Sequence, residues 1–198
     1  SGVIKNSSVL FFELATRSLC DDFSALKGQG MEPGLVRQFC RQLLCALQHL
    51  VPLCIVHGDI KPSNVLLFED PKSGYLLLKL ADFGSATITD TTVEGKGERV
   101  GFTAKYTAPE VRNGGGYARC FTHEADIYSV GATLKEVLGT DKALPGVINK
   151  MMSGSPNARK NPDELLREVW FDAPMVELVS VDVARGTVAT MCGGHLPV

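Results

Sequence analysis

The stretch HGDIKPSNVLL at positions 57–67 is the most informative part of this chain. In it, Asp59 precedes Asn64 by five residues, and a second aspartate follows in DFG at 82–84, after a segment with the pattern of a hairpin. This spacing predicts three oxygen-bearing side chains around one point. Oxygen ligands of this kind suit Mg²⁺ and a phosphoryl group.

The order of several short motifs indicates which family the chain resembles. The stretch at 57–67 resembles the catalytic loop H-R-D-L-x-x-x-N of eukaryotic-type protein kinases, with Gly58 in place of the arginine. DFG, APE at 108–110, DIYSVG at 126–131 and SPNAR at 155–159 follow in the family order. The chain is therefore similar to the C-terminal lobe of a Ser/Thr kinase-like protein kinase, with its hinge and without most of the N-terminal lobe.

This resemblance implies an α+β fold that consists mainly of the helical C-terminal lobe, with a remnant strand of the N-terminal lobe. It implies a partial kinase-like domain at 1–171 and leaves 172–198 as a C-terminal tail of unknown role. The implied activity is transfer of the ATP γ-phosphate to a protein Ser/Thr hydroxyl, with ATP and Mg²⁺ as cofactors and a protein as substrate.

The resemblance also assigns roles to individual residues. Asp59 resembles the residue that accepts the proton of the substrate hydroxyl, and Lys61 the residue that neutralises the transferring phosphoryl group. Thr103 matches a threonine that lines the substrate-hydroxyl site in Ser/Thr kinases, although the segment 102–107 also resembles tyrosine kinases. The preference for Ser/Thr over Tyr specificity therefore rests mainly on Lys61. Asn64 and Asp82 resemble the Mg²⁺ ligands, although alone they would be read as a turn residue and a cap.

A nucleotide site is implied by two further segments. The apolar run at 9–15 has the length of a buried strand and resembles the strand that leads into the hinge, with Phe12 as gatekeeper. The backbone of Glu13 and Ala15 would then bind the adenine edge, and Leu66 would form the floor beneath the base. A strand without any ligand is the alternative, because the run itself carries no chemistry.

Other matching residues are expected to support the site. Asp126 resembles a buried aspartate that accepts backbone N–H groups of the catalytic loop, and Glu110 and Arg159 resemble a buried ion pair. His57 and Phe83 are expected to pack beneath the site, without a role in proton transfer.

Apolar spacing and cap residues predict the main elements. The prediction comprises a helix over 33–50, a hairpin formed by 65–68 and 75–80, a buried helix from about Thr122 to Gly139, and a helix capped by Asn161. No helix is predicted between the polar segment that ends near residue 99 and Thr122, and the valine-rich tail is read as possible strands.

Charge and cysteine content limit which binding partners and which cellular compartment are expected. A net charge of −2 argues against nucleic acid or an anionic membrane, and no apolar run is long enough to span a bilayer. The six cysteines are scattered without a C-x-x-C pair, so a reducing compartment is expected, cytoplasmic with nuclear as an alternative. The oligomeric state stays open.

Departures from the family pattern support an alternative function. The 198 residues contain no Gly-rich phosphate loop, no V-A-I-K lysine and no helix glutamate of the N-terminal lobe. Because the chain begins at Ser1 within the family pattern, an N-terminal lobe or upstream segment is an expected partner. Alone, the chain is expected to be a weak or inactive kinase. The alternative is a catalytically inactive, pseudokinase-like binding or scaffold module.

Overall fold

A computed structural model describes residues 11–26, 29–69, 72, 75–89, 103–114, 121–139 and 145–172, and the backbone of 178–182 and 187–190. The described residues combine packed helices with short antiparallel strands, which confirms the α+β prediction. In these segments no helix combines the length and the apolar character that crossing a bilayer would require.

The elements follow the chain in this order. The helices are α1 (Leu19–Ala25), α2 (Pro33–Leu50), α3 (Pro109–Asn113), α4 (His123–Leu138), α5 (Gly146–Met151) and α6 (Pro162–Leu166). The strands are β1 (Arg17–Ser18), β2 (Ile55–Val56), β3 (Val65–Glu69), β4 (Leu76–Leu80), β5 (Thr87–Ile88), β6 (Leu178–Asp182) and β7 (Thr187–Thr190).

Helix α2 has the predicted bounds, and both ends follow from the sequence. Pro33 occupies its first turn, and the carboxylate of Glu32 caps it by accepting the N–H of Leu35 at 3.0 Å. The buried residues recur at helical spacing, so one face of α2 enters the core. These residues are Leu35, Val36, Phe39, Cys40, Leu43, Leu44 and Leu47.

Helix α4 is buried on nearly all sides, as predicted. The Thr122 hydroxyl caps its first turn by accepting the N–H of Ala125 at 3.3 Å. Gly139 ends the helix with a φ of +87°, a conformation that costs glycine little. Helix α4 packs against α2 and α5 in the main core, so it offers a well-packed support to neighbouring loops.

Three small antiparallel sheets are described, in the orders β1-β3-β4, β2-β5 and β6-β7. The predicted hairpin is the β3–β4 pair, with Leu66 opposite Lys79. Alternation along β3 buries Val65 and Leu67 in the core and turns Leu66 to the other face. The β6–β7 pair shows that the valine-rich tail forms strands, as the sequence indicated.

The predicted buried strand at 9–15 is wrong over 11–15, and residues 9 and 10 lie outside the described residues. Residues 11–15 form no strand, and Phe11, Phe12 and Leu14 are 93%, 85% and 93% exposed. Pairing with β3 begins only at Thr16, whose N–H donates to the Leu67 carbonyl at 2.9 Å. The apolar run therefore lacks a neighbouring strand among the described residues, and apolar composition alone does not bury it.

Helix α3 was not predicted, because APE was read only as a motif. Pro109 stands at its first position, which is a helix-start signal, and Gly114 follows its last residue. With five residues, α3 is too short to show helical periodicity.

A glutamine on α2 fixes the edge of the hairpin. The Gln42 amide group donates to the Leu76 carbonyl at 3.0 Å and accepts the Leu78 N–H at 2.8 Å. It thus occupies two backbone groups of β4, which is the edge strand of its sheet. The stretch before β3 and the DFG after β4 both lie at the open end of this hairpin, which these contacts hold against α2.

Replacing Gln42 with Ala should lower the free energy of unfolding by about 1–3 kcal/mol, because two backbone groups of β4 lose their partner. Urea unfolding followed by circular dichroism measures the change. Gln48→Ala is the matched control: Gln48 lies on the same helix and contacts Asp163, but its side chain is exposed. Equal losses in both variants would contradict the role of Gln42.

Candidate active site

The loop that begins at His57 is fixed from below by Asp126 on α4. One carboxylate oxygen of Asp126 accepts the His57 N–H at 2.7 Å, and the other accepts the Gly58 N–H at 3.0 Å. Asp126 is 2% exposed, and burial raises its pKa to about 7 although the two N–H donors lower it. The contact predicted for Asp126 is therefore present.

Three side chains form a closed network just beyond that point. The Lys61 ammonium donates to Asp59 Oδ2 at 2.5 Å and to the Thr103 hydroxyl at 3.0 Å. The Thr103 hydroxyl donates to Asp59 Oδ1 at 2.9 Å. A carboxylate that is fixed by a cation and a hydroxyl in this way is suited to bind and orient a further hydroxyl group.

Asn64 joins this network from the end of the loop. Its side-chain amide donates to the Asp59 carbonyl at 2.9 Å and to Asp59 Oδ2 at 3.3 Å. Among the described residues, its Oδ1 atom has only a long contact of 3.5 Å with the Ser63 hydroxyl. Because the nitrogen is used within the protein, the oxygen is the atom of Asn64 that can bind a ligand.

Asp82 lies beside Asn64 because the two segments are hydrogen-bonded through their backbones. The Ala81 N–H donates to the Asn64 carbonyl at 2.9 Å. Asp82 follows in a left-handed conformation with a φ of +60°, which is uncommon for a residue with a side chain. One of its carboxylate oxygens accepts the Gly84 N–H at 3.2 Å, and the residue is exposed.

His57 is a structural residue that contacts both halves of the site. Its Nδ1 atom accepts the Asp59 N–H at 3.4 Å, which leaves Nε2 as the donor to the Ala81 carbonyl at 3.0 Å. The Phe83 ring packs on the imidazole at 4.6 Å between centroids. Burial lowers the pKa of His57, and the nearby charges of Asp59 and Asp82 oppose that shift. Both carboxylates therefore lie close enough to influence one ring.

The oxygen atoms at the site fit a magnesium ion better than a metal held by protein ligands alone. The described residues contain no group of three or more His, Cys, Asp or Glu side chains that could hold a metal ion. Asn64 and Asp82 offer one amide oxygen and one carboxylate. Mg²⁺ commonly takes one or two such ligands and completes its shell with water and phosphate oxygens.

For the residues that are predicted to bind adenine, the structure gives only their surroundings within the protein. Leu66 is half-buried on the outer face of β3, opposite Lys79. Glu13 is exposed and forms an ion pair with Lys79, and Ala15 precedes the point where pairing with β3 begins. Their contacts with a nucleotide stay predictions.

Gly58, the main departure from the family motif, is required by the local packing. Its φ is +80°, and a Cβ atom there would lie 2.8 Å from the Ser85 carbonyl oxygen and 3.2 Å from the Phe121 ring. The backbone after DFG therefore packs directly on the loop, in space that any side chain would enter.

Lys105 lies close to Thr103 in the chain and forms an ion pair with Glu136, a contact that sequence reasoning missed. The Lys105 ammonium, two residues beyond Thr103, donates to Glu136 Oε1 at 2.7 Å. No motif or spacing signal connects a loop residue with a helix residue so distant in the chain. Such a pair becomes visible only when the loop lies against α4.

The ion pair predicted between Glu110 and Arg159 is present. The guanidinium donates to both carboxylate oxygens, at 2.6 and 2.9 Å, and also to the Glu124 carbonyl at 2.9 Å and the Ser153 carbonyl at 2.9 Å. Burial by itself would raise the pKa of Glu110, but the Arg159 hydrogen bonds outweigh it and lower that pKa. The pair fixes α3 to the segment before α6.

Comparison with known proteins adds independent evidence. A family model described as protein kinase domain matches residues 3–151. The chain is 34% identical over 146 residues to "Probable serine/threonine-protein kinase dyrk2" of Dictyostelium discoideum, covering 72% of this chain and 14% of that protein. It is 39% identical over 114 residues to "Serine/threonine-protein kinase A" of a Synechocystis strain, covering 56% and 21%.

A third relative is "Stress-activated protein kinase JNK" of Suberites domuncula, 40% identical over 105 residues, which covers 53% of this chain and 26% of that protein. The chain thus spans between 14% and 26% of the length of these three curated relatives.

Glu110→Gln should lower the free energy of unfolding by roughly 3–5 kcal/mol at pH 7, because a buried arginine loses its counter-charge. The folded pKa of Glu110 lies below its ordinary value of 4.5, so the pair stabilises fully above that pH and loses this effect as the pH falls through the folded value. Denaturant unfolding of both proteins from pH 7 to pH 3 should show the difference shrinking. A difference that stays constant or grows on acidification would contradict this account.

Gly58→Ala should destabilise the protein by roughly 1–3 kcal/mol, because alanine is strained at positive φ and its Cβ meets Ser85. Gly58→Arg, which restores the family residue, should destabilise at least as much. Thermal unfolding measures both. Gly146→Ala is the control. Gly146 is the first residue of α5, and an added Cβ there meets nothing within 4 Å, so the free energy of unfolding should change by no more than about 1 kcal/mol. A stabilised Gly58→Arg protein would contradict the packing argument.

Proposed function

The chain belongs to the protein kinase domain family, and on this premise we propose that it transfers the γ-phosphate of Mg²⁺-bound ATP to a serine or threonine hydroxyl of a protein. The observation that carries the proposal is the network of Asp59, Lys61 and Thr103. It combines a carboxylate, a cation and a hydroxyl at one point, each with a use in phosphoryl transfer.

Asp59 is the proposed proton acceptor. Its carboxylate would orient the substrate hydroxyl and take its proton as the oxygen bonds to the γ-phosphorus and the bond to the β,γ-bridging oxygen breaks, which releases ADP. Lys61 would neutralise charge on the transferring group, and Thr103 would fix the carboxylate. The contact between Lys61 and Thr103 supports Ser/Thr rather than Tyr specificity.

The cofactor contacts are proposed on the same basis. Asn64 Oδ1 and the Asp82 carboxylate would hold Mg²⁺, which supplies charge neutralisation on the phosphate oxygens. Leu66 would lie under the adenine, and the backbone of Glu13 and Ala15 would bind its edge. The exposed face of the hairpin that carries Leu66 and Lys79 supports this placement.

A second candidate function is a binding or scaffold module without turnover. The observation that favours it is Gly58, which stands where the family motif has an arginine. Loss of a single preorganised electrostatic donor typically lowers a rate by about 10²–10³. We propose that an N-terminal lobe, in the same polypeptide or as a partner, completes the site, and that the chain alone is weak or inactive.

A cytoplasmic location, with nuclear as the alternative, is part of the proposal. Its support is that Cys20, Cys40, Cys45 and Cys54 are free thiols.

Asp59→Asn and Asp82→Asn should each reduce phosphorylation of a serine peptide by at least about 10²-fold, because one removes the proton acceptor and the other a metal ligand. The assay follows labelled phosphate from ATP and Mg²⁺ with serine, threonine and tyrosine peptides. It uses the natural full-length polypeptide in parallel with the 198-residue chain.

Asp163→Asn is the control, because Asp163 is an exposed carboxylate on α6 that contacts Gln48 and should leave the rate unchanged. Activity of the Asp59 or Asp82 variants equal to that of the control would refute the assigned roles. Nucleotide binding without turnover in the full-length polypeptide would favour the scaffold function.

A further inference from the structure

Lys105 places an exposed positive charge next to the predicted hydroxyl site. It follows Thr103 by two residues, and two residues of extended chain span at most about 7 Å. Its side chain is 63% exposed, whereas Lys61, the cation inside the site, is 23% exposed and bound to Asp59 and Thr103. A protein segment that presents a hydroxyl to Asp59 therefore passes close to Lys105.

In the ion pair between Lys105 and Glu136, the cation is the more exposed partner. Glu136 is 18% exposed, and its Oε2 atom is buried. The ammonium has three donors, and the contact with Glu136 Oε1 uses one of them. The group that an incoming chain meets is thus the cation.

Tyr106 helps to fix the position of this cation. The Lys105 ammonium lies 5.6 Å from the centre of the Tyr106 ring, within the range of a cation–π contact. Burial raises the pKa of Tyr106, and the Glu136 carboxylate raises it further, so the phenol stays neutral. Lys105 is therefore held by two partners, which lowers the entropy lost when a further group binds to it.

We propose that Lys105 selects protein substrates that carry a glutamate or aspartate within about three residues of the accepting hydroxyl. The inference rests on the proposed function for the position of that hydroxyl. The incoming carboxylate would complete a bridge in which one ammonium contacts two carboxylates. The same molecule contains the reverse cluster, in which Glu168 contacts Lys150 at 2.8 Å and Lys160 at 2.7 Å.

The test uses a set of serine peptides that are identical except for one residue near the serine, which is Glu, Ala or Lys, placed in turn at each of the three positions on either side. Dissociation constants for the 198-residue chain come from NMR titration, and phosphorylation rates of the full-length polypeptide are measured in parallel. At one position or more, the Glu peptide should bind about fivefold tighter than the Ala peptide, as expected for an exposed charge pair. This preference should decrease as salt is added.

Two variants of the pair make the test specific. Lys105→Met should remove the difference between the Glu and Ala peptides. Glu136→Gln should enlarge it, because the ammonium is no longer neutralised. If Glu136 instead selected basic residues, Glu136→Gln would weaken binding of the Lys peptide and leave the Glu peptide unaffected, and the inference would be overturned.

Lys150→Met is the matched control, since Lys150 forms an exposed ion pair with similar geometry at 2.8 Å to Glu168 on another part of the surface. It should preserve the preference for Glu. Equal binding of all peptides to the unaltered chain, no binding of any of them, or equal effects of Lys105→Met and Lys150→Met would each overturn the inference.

The binding and transfer measurements separate this inference from the proposed function. Binding that favours the Glu peptide, without phosphate transfer by the full-length polypeptide, would refute the catalytic proposal and support the role of Lys105. Transfer that depends on Asp59 but shows no preference among the peptides would support the catalytic proposal and refute the role of Lys105.

Discussion

The site depends first on a buried carboxylate that accepts two backbone N–H groups. Asp126 lies on α4, the most enclosed helix that is described, and its two oxygens bind the N–H groups of His57 and Gly58. Burial of a charge is unfavourable by itself, and these two hydrogen bonds compensate part of the cost. The same two hydrogen bonds fix the start of the catalytic loop to the core, and Asp59 is the next residue in the chain.

A continuous series of contacts then leads from α4 to the second acidic residue. The His57 ring contacts the Ala81 carbonyl, and the Ala81 N–H donates to the Asn64 carbonyl. Asp59 and Asp82 thus belong to one hydrogen-bonded unit although 22 residues separate them in the chain. Because most of these contacts use backbone atoms, they depend on chain geometry more than on side-chain identity. Gly58 is an exception, since the close approach of Ser85 excludes a side chain.

The sequence predicts best those elements that are determined by signals between residues close together in the chain. Cap residues, first-turn prolines and regular apolar spacing indicated α2 and α4 with nearly their observed bounds, and ordered motifs indicated that Asp59 and Asn64 belong together. The apolar run at 11–15 predicts a buried strand that the structure does not contain, since burial of a strand requires a neighbour that no local pattern reveals. The contact between Lys105 and Glu136 was beyond sequence reasoning for a similar reason, because it arises only from tertiary packing.

In the proposed site, Asn64 and Asp82 hold a divalent ion together with the phosphates of one nucleotide. NMR of the isotope-labelled chain with ATP and substoichiometric Mn²⁺ in place of Mg²⁺ tests it most directly, because a paramagnetic ion broadens the signals of nearby nuclei. The signals of Asn64, Asp82 and Asp59 are expected to broaden first and to recover when excess Mg²⁺ is added. Broadening centred elsewhere, for example near the exposed Asp163, with these three signals unchanged, would contradict it.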